Sequence, residues 1–87
     1  MRGKNMLEAT VYITLKTGVL DPQGETMKHA LHSLGYPEVR ELRVGKYMRL
    51  KLEGHDRQQA LDKLEQMCQR LLANPVIEDY RFEIDET

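Results

Sequence analysis

Cysteine is nearly absent from this sequence: Cys68 is the only one among 87 residues, so no intrachain disulfide can form. A metal-carrying domain built on a pair of thiols is excluded for the same reason. Charge of one sign is also missing. Thirteen Lys and Arg against fourteen Asp and Glu leave a net charge of −1, so no positive field is available to draw in a phosphate backbone. No apolar run approaches the length of a membrane span, and Met1 to Met6 lacks the apolar core of a secretory signal, which points to the cytoplasm. There is no internal repeat, low-complexity tract or linker. The length suits a single domain spanning residues 1–87, with residues 1–5 as an N-terminal extension. A chain this short leaves a large share of its surface exposed. With disulfides excluded, oligomerisation is the expected supplement to a modest core.

What is present is a clear alternation of periods. Leu7, Ala9, Val11, Ile13 and Leu15 alternate with Glu8, Thr10, Tyr12, Thr14 and Lys16, the pattern of a half-buried strand. Asp21-Pro22 reads as a helix N-cap followed by proline at the first helical position, where a missing N–H costs nothing. Met27, Ala30, Leu31 and Leu34 then recur at helical spacing, and Gly35 supplies the left-handed residue that ends the helix. Val39–Val44 and Met48–Glu53 read as two further strands joined around Gly45, Lys46 and Tyr47. A two-residue turn there would put the two apolar sets on opposite faces, so a longer hairpin tip or a bulge is expected, with Val44 opposite Met48. Asp56 to Gln59 forms a loose capping box. Behind it Ala60, Leu61, Leu64, Met67, Cys68, Leu71 and Leu72 make a wide apolar stripe, stopped by Asn74-Pro75. Tyr80, Phe82 and Ile84 alternate as a last strand. The predicted fold is α+β, a ferredoxin-like βαββαβ order with a four-stranded antiparallel sheet carrying both helices on one face. The open sheet face would present Thr10, Tyr12, Thr14, Arg43, Arg49, Lys51 and Arg81, a surface either solvated or used as an interface.

Few residues suggest chemistry. Glu25, His29 and His32 share the outer face of the first helix at a spacing able to hold a metal, but they point away from the core and imply no supporting shell, so no metal site is assigned. His55 reads as a loop residue. Cys68 lies on the buried stripe, where a thiol is an unreactive small hydrophobe. Gly18 and Gly24 lack the spacing of a phosphate-binding loop and serve turn geometry instead. No catalytic residue and no cofactor site is predicted. An RNA-recognition module shares the element order, yet Val44 to Leu50 lacks the aromatic run that such modules use for stacking. A small-molecule-sensing regulatory module is the other alternative to an interaction subunit.

Four segments carry a further signal: Lys16-Thr17-Gly18-Val19-Leu20-Asp21-Pro22-Gln23-Gly24, Ala30-Leu31-His32-Ser33-Leu34-Gly35-Tyr36, Arg43-Val44-Gly45-Lys46, and Leu71-Leu72-Ala73-Asn74-Pro75-Val76-Ile77-Glu78-Asp79-Tyr80. From about Met6 to the C-terminus, in this order, they resemble the PurS family, the small subunit of phosphoribosylformylglycinamidine (FGAM) synthase. The resemblance implies a place in de novo purine synthesis, at the ATP-dependent amidation of formylglycinamide ribonucleotide. It implies two partners, a large synthetase subunit (PurL) that uses ATP and Mg, and a glutaminase subunit (PurQ) that releases ammonia. The small subunit then bridges the two, self-associates as dimers or tetramers, and holds no cofactor of its own. The residues expected at partner interfaces are Tyr12, the loop Gly18, Val19, Leu20, Asp21 and Pro22, the tip Gly45, Lys46 and Tyr47, and Asn74-Pro75. Structural need alone also accounts for several of these, since Asp21-Pro22 caps a helix and Asn74-Pro75 stops one.

Overall fold

A computed structural model describes residues 6–54 and 56–86; the predicted N-terminal extension (residues 1–5) and the loop residue His55 lie outside the described residues. The order is β1 (Met6–Leu15), α1 (Pro22–Ser33), β2 (Lys46–Glu53), α2 (Arg57–Met67), a π-helical turn (Cys68–Leu72) and β3 (Glu78–Glu86). The strands form a three-stranded antiparallel sheet in the order β2-β1-β3.

β1 is central because its alternation gives it a fully apolar inner face. Leu7, Ala9, Val11 and Ile13 are at most 1% exposed, and they pair with Leu52, Leu50, Met48 and Lys46 on one side and with Glu86, Ile84, Phe82 and Tyr80 on the other. α2 lies over this face and buries Ala60, Leu64 and, through the π turn, Cys68. Full burial of each aliphatic side chain contributes about 1.5–3 kcal/mol, so Leu7, Val11, Ile13, Leu64 and Ile84 anchor the fold. Asp56 caps α2 by accepting from the Gln59 N–H at 3.1 Å, and Arg57 donates to the Ile84 carbonyl at 2.6 Å.

The four-stranded sheet does not form. Residues 39–44 are not a strand, and Lys46 and Tyr47 are not a hairpin tip; they open β2, opposite Ile13 and Tyr12. The cause is local. The Asp21 carboxylate takes the Val44 N–H at 2.8 Å, His32 Nε2 contacts the Val39 carbonyl at 2.7 Å, and Gly45 is packed against the Ile13 carbonyl, where a Cβ could not fit. Tied to the end of β1 in this way, the chain runs straight on into β2 instead of turning back on it.

The two-helix layer is also incomplete. α1 forms as predicted, capped by Asp21, begun by Pro22 and ended near Gly35 at φ 103°. Yet among the described residues no α1 side chain joins the core cluster: Met27 and Leu34 are 46% and 72% exposed. A third correction concerns Leu71, predicted on the buried stripe and found 82% exposed. The π turn, closed by the Ala73 N–H on the Cys68 carbonyl at 3.0 Å, widens the helix after Met67 and rotates Leu71 off the stripe.

Candidate functional site

The sequence-predicted interface residues, scattered from Tyr12 to Pro75, meet at one end of the sheet. The register places Ile13 opposite Lys46 and Leu15 opposite Glu78, so the end of β1 and the starts of β2 and β3 lie together. α1 also starts here. Its cap Asp21 is 6% exposed and accepts from Gly24 N–H at 2.9 Å and Val44 N–H at 2.8 Å. Those two hydrogen bonds, the Val44 one first, hold the Asp21 carboxyl below its ordinary pKa; burial opposes them and the neighbouring Arg43 charge assists. Arg43 in turn donates to the Lys16 carbonyl at 3.0 Å. Gly24 packs against the Leu42 carbonyl with no room for a Cβ, and Gly18, at φ 91°, turns the loop between β1 and α1.

The Asn74-Pro75 segment joins from the other side. Asn74 donates its N–H to Glu78 Oε1 at 2.7 Å, accepts the Glu78 N–H on its carbonyl at 2.7 Å, and takes the Val76 N–H on its side chain at 3.1 Å. Glu78 also meets Lys46 at 3.5 Å, and Lys16 pairs with Asp79 at 2.8 Å. A cavity of about 210 Å³ opens between Ile13, Asp21, Val44, Lys46 and Glu78. Tyr12 and Tyr47 stand beside this end on the open sheet face with ring centroids 5.6 Å apart, and the Arg81 guanidinium carbon lies 3.9 Å from the Tyr12 ring centre. Arg49 pairs there with Glu8 at 2.8 Å.

This end is a hydrogen-bonded frame of loops around the end of the sheet. Its acids are already engaged by backbone N–H groups or lysines, and among the described residues no group of His, Cys, Asp and Glu is arranged to hold a metal. Leu20, next to the cap Asp21, is 72% exposed; Leu71 and Val76, on either side of Asn74 in the chain, are 82% and 80% exposed, and Tyr47 is 61% exposed. Large apolar side chains left in solvent are a general feature of protein interfaces. Sequence reasoning missed Glu78 as the link between two of its segments and Leu71 and Val76 as exposed apolar residues. All three lie within the Leu71 to Tyr80 segment, but the exposure of Leu71 depends on the π turn and the place of Glu78 on the register.

Away from this end, Cys68 is buried, and desolvation, with the Glu65 charge, pushes its thiol pKa up. Tyr80 donates its hydroxyl to Glu65, the main cause of its raised pKa, and Gln69 donates to the same Glu65 oxygen at 2.9 Å. These contacts fasten the π turn to β3. His29 and His32 have rings 6.3 Å apart, with His29 3.9 Å from Glu25.

Comparison with known proteins gives one consistent result. The family model "PurS: Phosphoribosylformylglycinamidine (FGAM) synthase" matches residues 8–86. The PurS subunit of phosphoribosylformylglycinamidine synthase from Bacillus subtilis is 55% identical over 82 residues, covering 93% of this chain and 95% of the relative. Its counterpart from Methanocaldococcus jannaschii is 42% identical over 81 residues, covering 93% and 98%. Among solved structures, B. subtilis PurS superposes with a TM-score of 0.81 at 51% identity, covering 91% of this chain and 98% of that one. A chain of the Thermotoga maritima PurLQS structure superposes with a TM-score of 0.79 at 30% identity, covering 94% and 98%. Matched along nearly its whole length in sequence and in shape, the chain belongs to the PurS family of FGAM synthase.

Proposed function

We propose that this chain is the non-catalytic small subunit of an FGAM synthase, acting in the cytoplasm in de novo purine synthesis. It docks the glutaminase and synthetase subunits, self-associates, and holds no cofactor, ATP and Mg being used by the synthetase. The observation that carries this reading is the convergence of Gly18–Pro22, Gly45–Lys46 and Asn74–Pro75 on one end of the sheet, with Leu20, Leu71 and Val76 exposed in or beside those segments. Support for the partners comes from the T. maritima relative, whose structure is that of PurLQS. No helix among the described residues is long and apolar enough to cross a membrane.

The physical need for such a subunit lies in the ammonia. Only the unprotonated form has the lone pair that attacks, and bulk water both protonates and dilutes it. A subunit that fixes the glutaminase and synthetase sites in register protects the transfer. Omitting this chain from a reconstituted reaction should therefore nearly abolish product formation with glutamine as nitrogen donor. With concentrated ammonium salt at alkaline pH, ammonia enters from bulk and the rate should fall far less. An equal fall with both donors would mean that the chain serves the chemical step itself, and the bridging reading would be wrong. The isolated chain should show no glutaminase, ATPase or ligase turnover.

A further inference from the structure

The sheet order β2-β1-β3 leaves one side of β3 without a neighbouring strand among the described residues. The Lys16 N–H donates to the Ile77 carbonyl at 2.8 Å, which fixes the phase of the β1–β3 ladder. Backbone groups of a strand alternate sides with a period of two. Asp79, Arg81, Glu83 and Asp85 therefore bond β1, while Tyr80, Phe82 and Ile84 direct their N–H and carbonyl groups outward. Two contacts agree with this phase and also close the ends of the edge: the Glu78 N–H goes to the Asn74 carbonyl at 2.7 Å, and the Ile84 carbonyl accepts from Arg57 at 2.6 Å. Between them the N–H and carbonyl groups of Tyr80 and Phe82 and the N–H of Ile84 have no strand to pair with.

The two faces along this edge differ in chemistry. Asp79, Glu83 and Asp85 line the open sheet face, and Arg81, the cation among them, lies over the Tyr12 ring at 3.9 Å, toward β1 rather than the edge. Lys16 holds Asp79 at 2.8 Å, Arg81 reaches Glu83 only at 3.4 Å, and Asp85 has no ion pair among the described residues. The acids thus outweigh the cations on this flank. On the helix-bearing face Tyr80 and Phe82 stack with ring centroids 6.3 Å apart and stay only partly buried.

We propose that a partner subunit of the synthase adds an extended segment to the Tyr80–Ile84 edge of β3, its lysine or arginine residues alternating with apolar ones. Main-chain hydrogen bonds hold a strand of about five residues there. Its cations lie beside Glu83 and Asp85, and its apolar residues cover the flanks of Tyr80 and Phe82. A second copy fits less well. Two β3 edges would set acid beside acid, and β2 of a copy, although it carries Lys46, Arg49 and Lys51, would make a head-to-tail contact that does not close. The edge begins at Glu78, within the hydrogen-bonded frame at the end of the sheet, so an added strand continues the same surface. This inference rests on the docking of partner subunits proposed above and gives one of them a mode of contact.

Amide exchange tests it, because an added strand leaves an alternating mark. In the free chain the Tyr80, Phe82 and Ile84 amides should exchange fast, while those of Arg81, Glu83 and Asp85 are slowed by their bonds to β1. Exchange is then run on the chain mixed with the synthetase and glutaminase subunits, singly and together, quenched and read residue by residue. The subunit that supplies the segment should slow the Tyr80, Phe82 and Ile84 amides at least about tenfold. A complex in which they exchange as in the free chain would refute the added strand and leave the docking reading intact. Absence of any complex would sink both. Slowing in the chain alone that grows with its concentration would give the edge to a second copy and overturn the proposal. Independently, Glu83→Lys with Asp85→Lys should keep the circular dichroism spectrum and weaken binding of that subunit about tenfold. Undiminished binding would refute a basic segment at this edge.

Discussion

Asp21 does the work of two residues, capping α1 and holding Val44 in the path that leads into β2. Because its folded carboxyl has a lowered pKa, the stability it supplies is complete above the unfolded value near 4 and is lost as pH falls through the lower folded one. Asp21→Asn keeps one acceptor and cannot titrate. The parent should therefore lose its melting-temperature advantage over this variant as the pH is lowered below about 4, a trend thermal scans at stepped pH will read. A flat difference would assign the clasp little weight. At Cys68 the raised thiol pKa and full burial predict reaction with a thiol reagent only through transient opening, so the rate should rise steeply in mild denaturant. Rapid modification of the native protein would contradict that burial.

The π turn separates two leucines that a regular helix would treat alike. Leu64 is fully buried under β1, and its change to alanine should cost about 2–5 kcal/mol. Leu71 projects to solvent, and Leu71→Ser should change stability by no more than about 0.5 kcal/mol. Chemical denaturation of the two variants separates the outcomes; similar losses would show that the stripe continues unbroken. The double variant Leu71→Asp with Val76→Asp should leave the circular dichroism spectrum unchanged and reduce co-elution with the glutaminase and synthetase subunits. Full retention of both partners would remove these two residues from the docking surface. At β2 the difference from expectation comes from hydrogen bonds made before the strand begins. Val39, Leu42 and Val44 carry strand-like alternation, but Val39 is hydrogen-bonded to His32 and Tyr36, and Val44 to Asp21, in place of a neighbouring strand.

At the scale of the molecule, a sheet with one helix attached and one outside the core is an incomplete layer structure, and the partly buried inner face of β2 belongs to that incompleteness. The sequence by itself determined the elements whose signals are local: β1 from its period of two, α1 from Asp21-Pro22 and Gly35, α2 from its capping box and stripe, and β3 from Tyr80, Phe82 and Ile84. It also carried the motif segments that mark the family, because their residues serve local geometry around Asp21, Gly24, Gly45 and Asn74 that few other residues can supply. Tertiary structure decided what depends on partners distant in sequence. Only the sheet register brings Lys46 to Glu78 and so joins two distant segments into one surface. The clasp across Asp21 and Val44, twenty-three residues apart, with His32 on Val39 and Gly45 against Ile13, converts a predicted strand into a straight entry to β2. Amphipathic periodicity states that a helix has a face to bury; which surface receives it is set by contacts that the pattern does not encode.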